Sequence, residues 1–190
     1  MTATADGVSG ATSNRAGTWK IDPVHSGVEF VVTHLMISKV RGRFSDISGS
    51  VETDGTPEGS KVEVEIGAAS VSTHDDGRDT HLRSADFFDA AKYPKIRFVS
   101  TSVKSKSGSE FSVTGDLTIK GVTKPVSIAV TSDGTGKDPW GVDRAGFSAT
   151  LKIDRRDFGL TWNQALEAGG VMVSNEVKLT IDVELTHVAQ

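Results

Sequence analysis

The sequence predicts an all-β protein, a closed antiparallel β-barrel of about eight strands with one short helical insertion. Three observations predict it. From Thr18 onward apolar and polar side chains alternate with a period of two in run after run. Most runs are joined by short turn signals, as an up-and-down meander requires. Each strand also carries a single apolar face, which a closed wall buries on its inside, and about eight strands is the number at which such a barrel just holds one small ligand.

The first strong run sets Val28, Phe30 and Val32 against Glu29 and Val31. His34 continues the parity of Phe30 and Val32, so its ring faces the interior if the strand persists. Val62, Val64 and Ile66 alternate with Glu63 and Glu65, and Ile96 and Phe98 repeat the pattern. Phe111, Val113, Leu117 and Ile119 lie between the hairpin signals Ser107-Gly108 and Gly121, and Val126, Ile128 and Val130 follow. Two long strands close the chain. One carries Ala145, Phe147, Ala149, Leu151 and Ile153; the other sets Val177, Leu179, Ile181, Val183 and Leu185 against Lys178, Thr180, Asp182 and Glu184. Asp54-Gly55, Asp133-Gly134, Asp138-Pro139 and Gly169-Gly170 punctuate the intervals. A filled β-sandwich is the alternative architecture.

Two segments break the strand period. Between His74 and Pro94, Leu82, Ala85 and Phe88 are spaced three apart, Ser84 is placed to N-cap a last helical turn, and Pro94 ends it. This segment reads as a candidate helical lid or plug. Leu35-Met36-Ile37, within His34 to Lys39, is a consecutive apolar run expected to pack against the core; its other reading is a tip that touches a membrane or a partner.

Composition removes several functions. The chain has no cysteine, which excludes disulfides, thiolate ligands and cysteine nucleophiles. A formal net charge of -4 argues against a nucleic-acid partner. No stretch approaches the roughly 20 apolar residues of a spanning helix. Met1 to Ala16 is rich in Thr, Ala, Gly and Ser and reads as a disordered tail without the apolar core of a signal peptide, leaving residues 17–190 as one domain expected in the cytoplasm.

Motifs of catalysis are missing. Five histidines make no helical His-x-x-x-His pair and no zinc-type spacing, so no metal and no cofactor are expected. Asp75-Asp76-Gly77-Arg78-Asp79 lacks the carboxylate spacing and closing glutamate of a calcium loop and reads as a polar entry to the helix. There is no Gly-x-Ser-x-Gly elbow and no phosphate-binding Gly loop. Lys39, Arg41 and Arg43 cluster, and Arg78 and Arg83 flank the helical segment; at a barrel rim they would be solvated or would meet an acidic head group. Aromatics are 6% of the chain and the inward rows are rich in small residues, so a closed wall would leave volume for an apolar ligand.

A series of motifs then resembles the YceI-like family of lipocalin-like barrels. It comprises Asp22-Pro23-Val24-His25-Ser26 with Phe30, His34, Ser38, Val40, Gly42 and Phe44; Arg78-Asp79-Thr80-His81-Leu82 with Asp86-Phe87-Phe88; and Tyr93-Pro94-Lys95-Ile96-Arg97-Phe98. Gly115 to Val126 and Arg156-Asp157-Phe158-Gly159-Leu160 extend it, so the resemblance spans about Gly17 to Thr186. It implies an elongated tunnel that binds polyisoprenoids or related long apolar molecules, often a dimer, and no established catalytic residues. Two departures are Ile47, where the family tends to an aromatic, and Val173-Ser174-Asn175-Glu176-Val177 in place of a more acidic turn.

The resulting expectation is a carrier or store of an isoprenoid or other lipid, with a ligand wall of Phe30, Val32, His34, Phe44, Phe98, Phe147 and Ala149 and a plug of His81, Leu82, Phe87 and Phe88. The rivals are an enzyme using His34 or His81 as acid or base near Asp79, and a module that docks on a membrane or partner.

Overall fold

The computed structural model describes residues 15–167 and 169–188. The expected tail lies outside them except for its last two residues. Those two are engaged: Arg15 pairs with Asp143, and the Ala16 carbonyl lies 3.3 Å from Nε2 of His187.

Eleven strands form one sheet: β1 (Gly17–Ile21), β2 (Gly27–His34), β3 (Ser38–Phe44), β4 (Ile47–Thr53), β5 (Lys61–Gly67), β6 (Val71–Ser72), β7 (Lys95–Ser107), β8 (Glu110–Ile119), β9 (Val122–Lys137), β10 (Asp143–Asp154) and β11 (Glu176–His187). The ring runs β1-β4-β5-β7-β8-β9-β10-β11 and closes where Trp19 meets His187, so eight strands circle the axis with every neighbour antiparallel. β11 pairs with β1 through Leu185–His187 and with β2 through Lys178–Asp182. β1 and β2 therefore act as one long strand interrupted at Asp22–Ser26, and β3 and β4 as its broken neighbour.

Register explains the wall. Ala145, Phe147, Ala149, Leu151 and Ile153 of β10 stand directly opposite Leu185, Val183, Ile181, Leu179 and Val177 of β11, and all ten point into the barrel. In β8 the inward row passes through Gly115, where a Cβ would sit 2.4 Å from the Val99 carbonyl and 2.6 Å from the Phe98 ring. The missing side chain makes room for Phe98. In the adjoining β7 a bulge between Ser100 and Ser102 shifts the parity, which brings Val103 onto the inner face after Ile96 and Phe98. The β8–β9 hairpin turns at Lys120 (φ 49°) and Gly121 (φ 76°), the two left-handed positions that a two-residue turn of this twist demands.

The helix α1 spans Asp76–Arg83, shorter than the expected segment. Asp75 is its N-cap and accepts from the Arg78 amide at 2.8 Å. Ser84 corrects the sequence reading: it is the C-cap, its amide and hydroxyl both donating to the His81 carbonyl. Non-helical turns carry the chain on, with Phe88 N donating to Leu82 O and Ala90 N to Arg83 O, so the three-residue spacing of Leu82, Ala85 and Phe88 is not one helical face. Lys120 Nζ donates to Ala85 O at 2.7 Å and fastens this cover to the β8–β9 hairpin.

Leu35-Met36-Ile37 also differs from expectation. It forms the tip of the β2–β3 hairpin, with Met36 60% and Ile37 85% exposed. Leu35 and Met36 adopt left-handed φ of 50° and 61°, held by Leu35 N on Met172 O at 2.8 Å. Met36 and Ile37 therefore point outward while Leu35 stays half-buried, so the apolar run as a whole does not pack on the core.

Candidate functional site

The barrel encloses a cavity of about 670 Å3. Its wall is the sum of the inward rows, and all eleven residues proposed from the sequence lie on it. Phe30, Val32, Phe44, Phe98, Phe147 and Ala149 come from the strands, and His34 ends β2 at one mouth. Arg78, His81 and Leu82 share the inner face of α1 at the spacing of one helical turn, and Phe87 and Phe88 follow in the cover. Phe44 packs edge-on against Phe88 at 5.5 Å and, tilted, against Phe30 at 5.8 Å, which couples cover to wall.

Sequence reasoning missed the residues that complete this mouth. Trp162 faces the cavity from the irregular stretch after β10, packing on His81 at 4.8 Å and Phe87 at 5.3 Å. Arg155, in a short 3-10 turn, is 4% exposed and lines the cavity. Its Nε donates to Ser174 O at 3.0 Å and its Nη1 to Leu160 O and Trp162 O at 2.5 and 2.8 Å, with Val173 O at 3.4 Å from Nη2. One side chain thus ties both ends of the excursion Leu160–Ser174, including the departing segment that starts at Val173, to the barrel. Burial pushes the Arg155 pKa down, and the neighbouring Asp154 offsets part of that. Asp154 itself is committed to Arg156 through three side-chain contacts. Replacing Arg155 with Met leaves four carbonyls short of a donor, and we expect a loss on the order of 3 kcal/mol, read as a lower denaturation midpoint.

The second departure, Ile47, is 3% exposed and lines the cavity, where an aromatic would take up more of the lumen.

The acid–base arrangement required by the enzyme reading does not form around Asp79. Asp79 is buried and its Oδ1 accepts from the Thr73 amide at 2.8 Å and the Thr73 hydroxyl at 2.5 Å. His81 instead meets Asp86, Nε2 to Oδ2 at 2.9 Å, beside the exposed rim.

Among the described residues, one trio could hold a metal ion: Asp22, His25 and Glu184, whose ligand atoms lie within 4.8 Å of one another. Sequence spacing could not show it, since Glu184 is far along the chain. Arg144 occupies the centre, with Nη1 2.7 Å from Asp22 and 2.6 Å from Glu184, so both carboxylates already face a cation. The trio locks the interruption between β1 and β2 to β10 and β11.

His25 and Arg144 together hold the Asp22 carboxyl at about 2, against an ordinary 3.8. Because the folded value is depressed, the stabilisation is complete above about pH 4 and disappears as pH falls toward 2. Asp22→Asn should therefore lower the urea midpoint at neutral pH, and its deficit relative to wild type should shrink between about pH 4 and 2. A deficit constant across that window would contradict the ion-pair account.

The YceI-like domain family matches residues 19–185, nearly the whole described chain. This chain belongs to the YceI-like family. Protein YceI of Escherichia coli is 45% identical over 177 residues, covering 92% of this chain and 89% of that protein. A UPF0312 protein of Pseudomonas putida is 47% identical over 148 residues, 76% of this chain and 77% of its own. Among solved structures, Burkholderia cenocepacia BcnA superposes with a TM-score of 0.76 at 26% identity, over 86% of this chain and 98% of BcnA. The Campylobacter jejuni YCEI protein gives 0.71 at 34% identity, over 83% of this chain and 90% of its own. A polyisoprenoid binding domain from Saccharophagus degradans shares the fold, with a TM-score of 0.70 at 17% identity over 90% of this chain and 98% of that domain.

Proposed function

We propose that this YceI-like protein binds a long, single-chain apolar molecule, an isoprenoid or other lipid, in its barrel and stores or carries it chemically unchanged. The observation that carries the reading is the cavity itself: about 670 Å3 walled by continuous apolar rows in matched register. At about 24 cal/mol per Å3, leaving this volume empty would forgo up to roughly 16 kcal/mol, as much as the whole stability of a domain. A wall of that cost is retained for what fills it. The fold shared with the polyisoprenoid binding domain of Saccharophagus degradans supports the ligand class.

The barrel's length suits an extended chain. β11 has 12 residues, which at about 3.3 Å each and a tilt near 40° gives a wall roughly 30 Å high. Catalysis is the weaker reading, because the two histidines on the cavity wall are not assembled with Asp79. The test is an organic extract of the purified protein, analysed for lipids and then incubated with fresh protein. A long-chain molecule recovered unchanged is expected; its conversion to a new species would favour an enzyme.

A further inference from the structure

The lumen is electrically lopsided. Among the described residues its wall contains no aspartate, glutamate or lysine, and its four ionisable groups are His34, Arg78, His81 and Arg155. All four stand at the end covered by α1. Trp162 touches His81 and gives its carbonyl to Arg155, while His34 bridges to Val173, whose carbonyl faces Arg155 Nη2. Arg78 shares the inner helical face with His81. The opposite end, near Trp19 and the β4–β5 loop, offers only neutral groups such as Ser50, Thr53, Thr56 and Ser60.

Among the described residues neither arginine of the α1 end, Arg78 or Arg155, is joined directly to a carboxylate, although His81 is joined to Asp86. Arg78 spends Nε on the Thr73 hydroxyl at 2.7 Å and Nη2 on the Thr73 carbonyl at 3.1 Å, leaving Nη1 uncommitted. Arg155 donates only to backbone carbonyls. Asp86 pairs with His81 and Asp154 with Arg156, and Asp79 reaches Arg78 only through the shared Thr73 hydroxyl. A guanidinium fork at the mouth of an apolar lumen favours an anionic oxygen over a neutral one.

We infer that the α1 end of the cavity takes the anionic head, a carboxylate or a phosphate monoester, of a single-chain amphiphile, with Arg78 meeting the head, Arg155 supplying buried positive charge behind it, and the tail directed toward Trp19. This rests on the carrier reading and adds the head-group class and the direction of insertion.

Delipidated full-length protein is titrated at neutral pH with two matched pairs, hexadecanoate against hexadecanol and farnesyl phosphate against farnesol. At least one anion should bind about tenfold or more tighter than its alcohol, and the pair with the larger ratio assigns the head as carboxylate or phosphate. Arg78→Gln, at an exposed position, should bring that ratio to about threefold or less, and Arg78→Lys should restore most of it. For direction, ω-bromohexadecanoate should quench Trp19 in a Trp140→Phe, Trp162→Phe background, and α-bromohexadecanoate should quench Trp162 in a Trp19→Phe, Trp140→Phe background. Equal affinities within both pairs, a ratio untouched by Arg78→Gln, or the reverse quenching pattern overturns the inference while leaving the carrier reading intact. Failure of all four probes to bind removes both.

Discussion

Extraction of lipid from the purified protein, under the carrier reading, should lower its melting temperature by several degrees, and adding lipid back should restore it in proportion to the logarithm of its free concentration. The barrel wall is formed only in the folded state, so a ligand held by matched rows from β10, β11 and their neighbours stabilises that state alone. At a free concentration about a hundred times the dissociation constant the gain is about 2.7 kcal/mol, and for a domain of this size that corresponds to roughly 5 to 11 °C. A melting curve measured across a lipid titration checks it. A flat response would mean that the cavity is stable by itself.

Filling the lumen from the wall should have the opposite signs on occupancy and on the ligand-free protein. Ala149 faces the cavity between Phe147 and Leu151 and opposite Ile181, in the middle of the barrel's height. Ala149→Trp places an indole across the path of an extended chain, and we expect co-purified lipid to fall about tenfold or more. The stripped variant should melt no lower than stripped wild type, since the ring makes contacts that the cavity otherwise lacks. Lys178→Trp, on the outer face of β11, is the control and should leave occupancy unchanged. Loss of lipid together with a lower melting point of the stripped form would indicate a disrupted fold rather than a blocked tunnel.

What the sequence made legible follows from where its periodicity is strict. β10 and β11 alternate without a break, so their ten inward residues could be read from parity alone. β7 could be read only as far as Phe98, because the bulge at Ser100/Ser102 inverts the parity and hides Val103. The cover was visible as a change of period, yet its helix ends at Ser84 and Phe88 reaches the cavity through turns, which no helical spacing describes. Leu35-Met36-Ile37 was misjudged because hydrophobicity suggested burial, whereas two left-handed residues in a hairpin tip turn Met36 and Ile37 outward.

The mouth was least legible. Leu160 to Asn175 has no periodic pattern, so Trp162 and Met172 gave no signal as wall residues, although a tryptophan next to a motif is a reasonable place to look for one. Arg155 sits beside Arg156 in sequence and resembles it; only the structure separates the buried one, satisfied by carbonyls, from the exposed one paired with Asp154. The Asp22, His25 and Glu184 trio depends on a contact between distant strands and could not be read from spacing.

The central claim is that the lumen of this YceI-like barrel holds a long apolar molecule. Native mass spectrometry of the purified full-length protein, before and after organic extraction, tests it most directly. The account predicts an initial mass above that of the chain by one long-chain lipid, a return to the chain mass on extraction, and recovery of the adduct when the extract is added back. A protein that shows the bare chain mass throughout, and takes up neither the extract nor any long-chain lipid offered to it, would contradict the account.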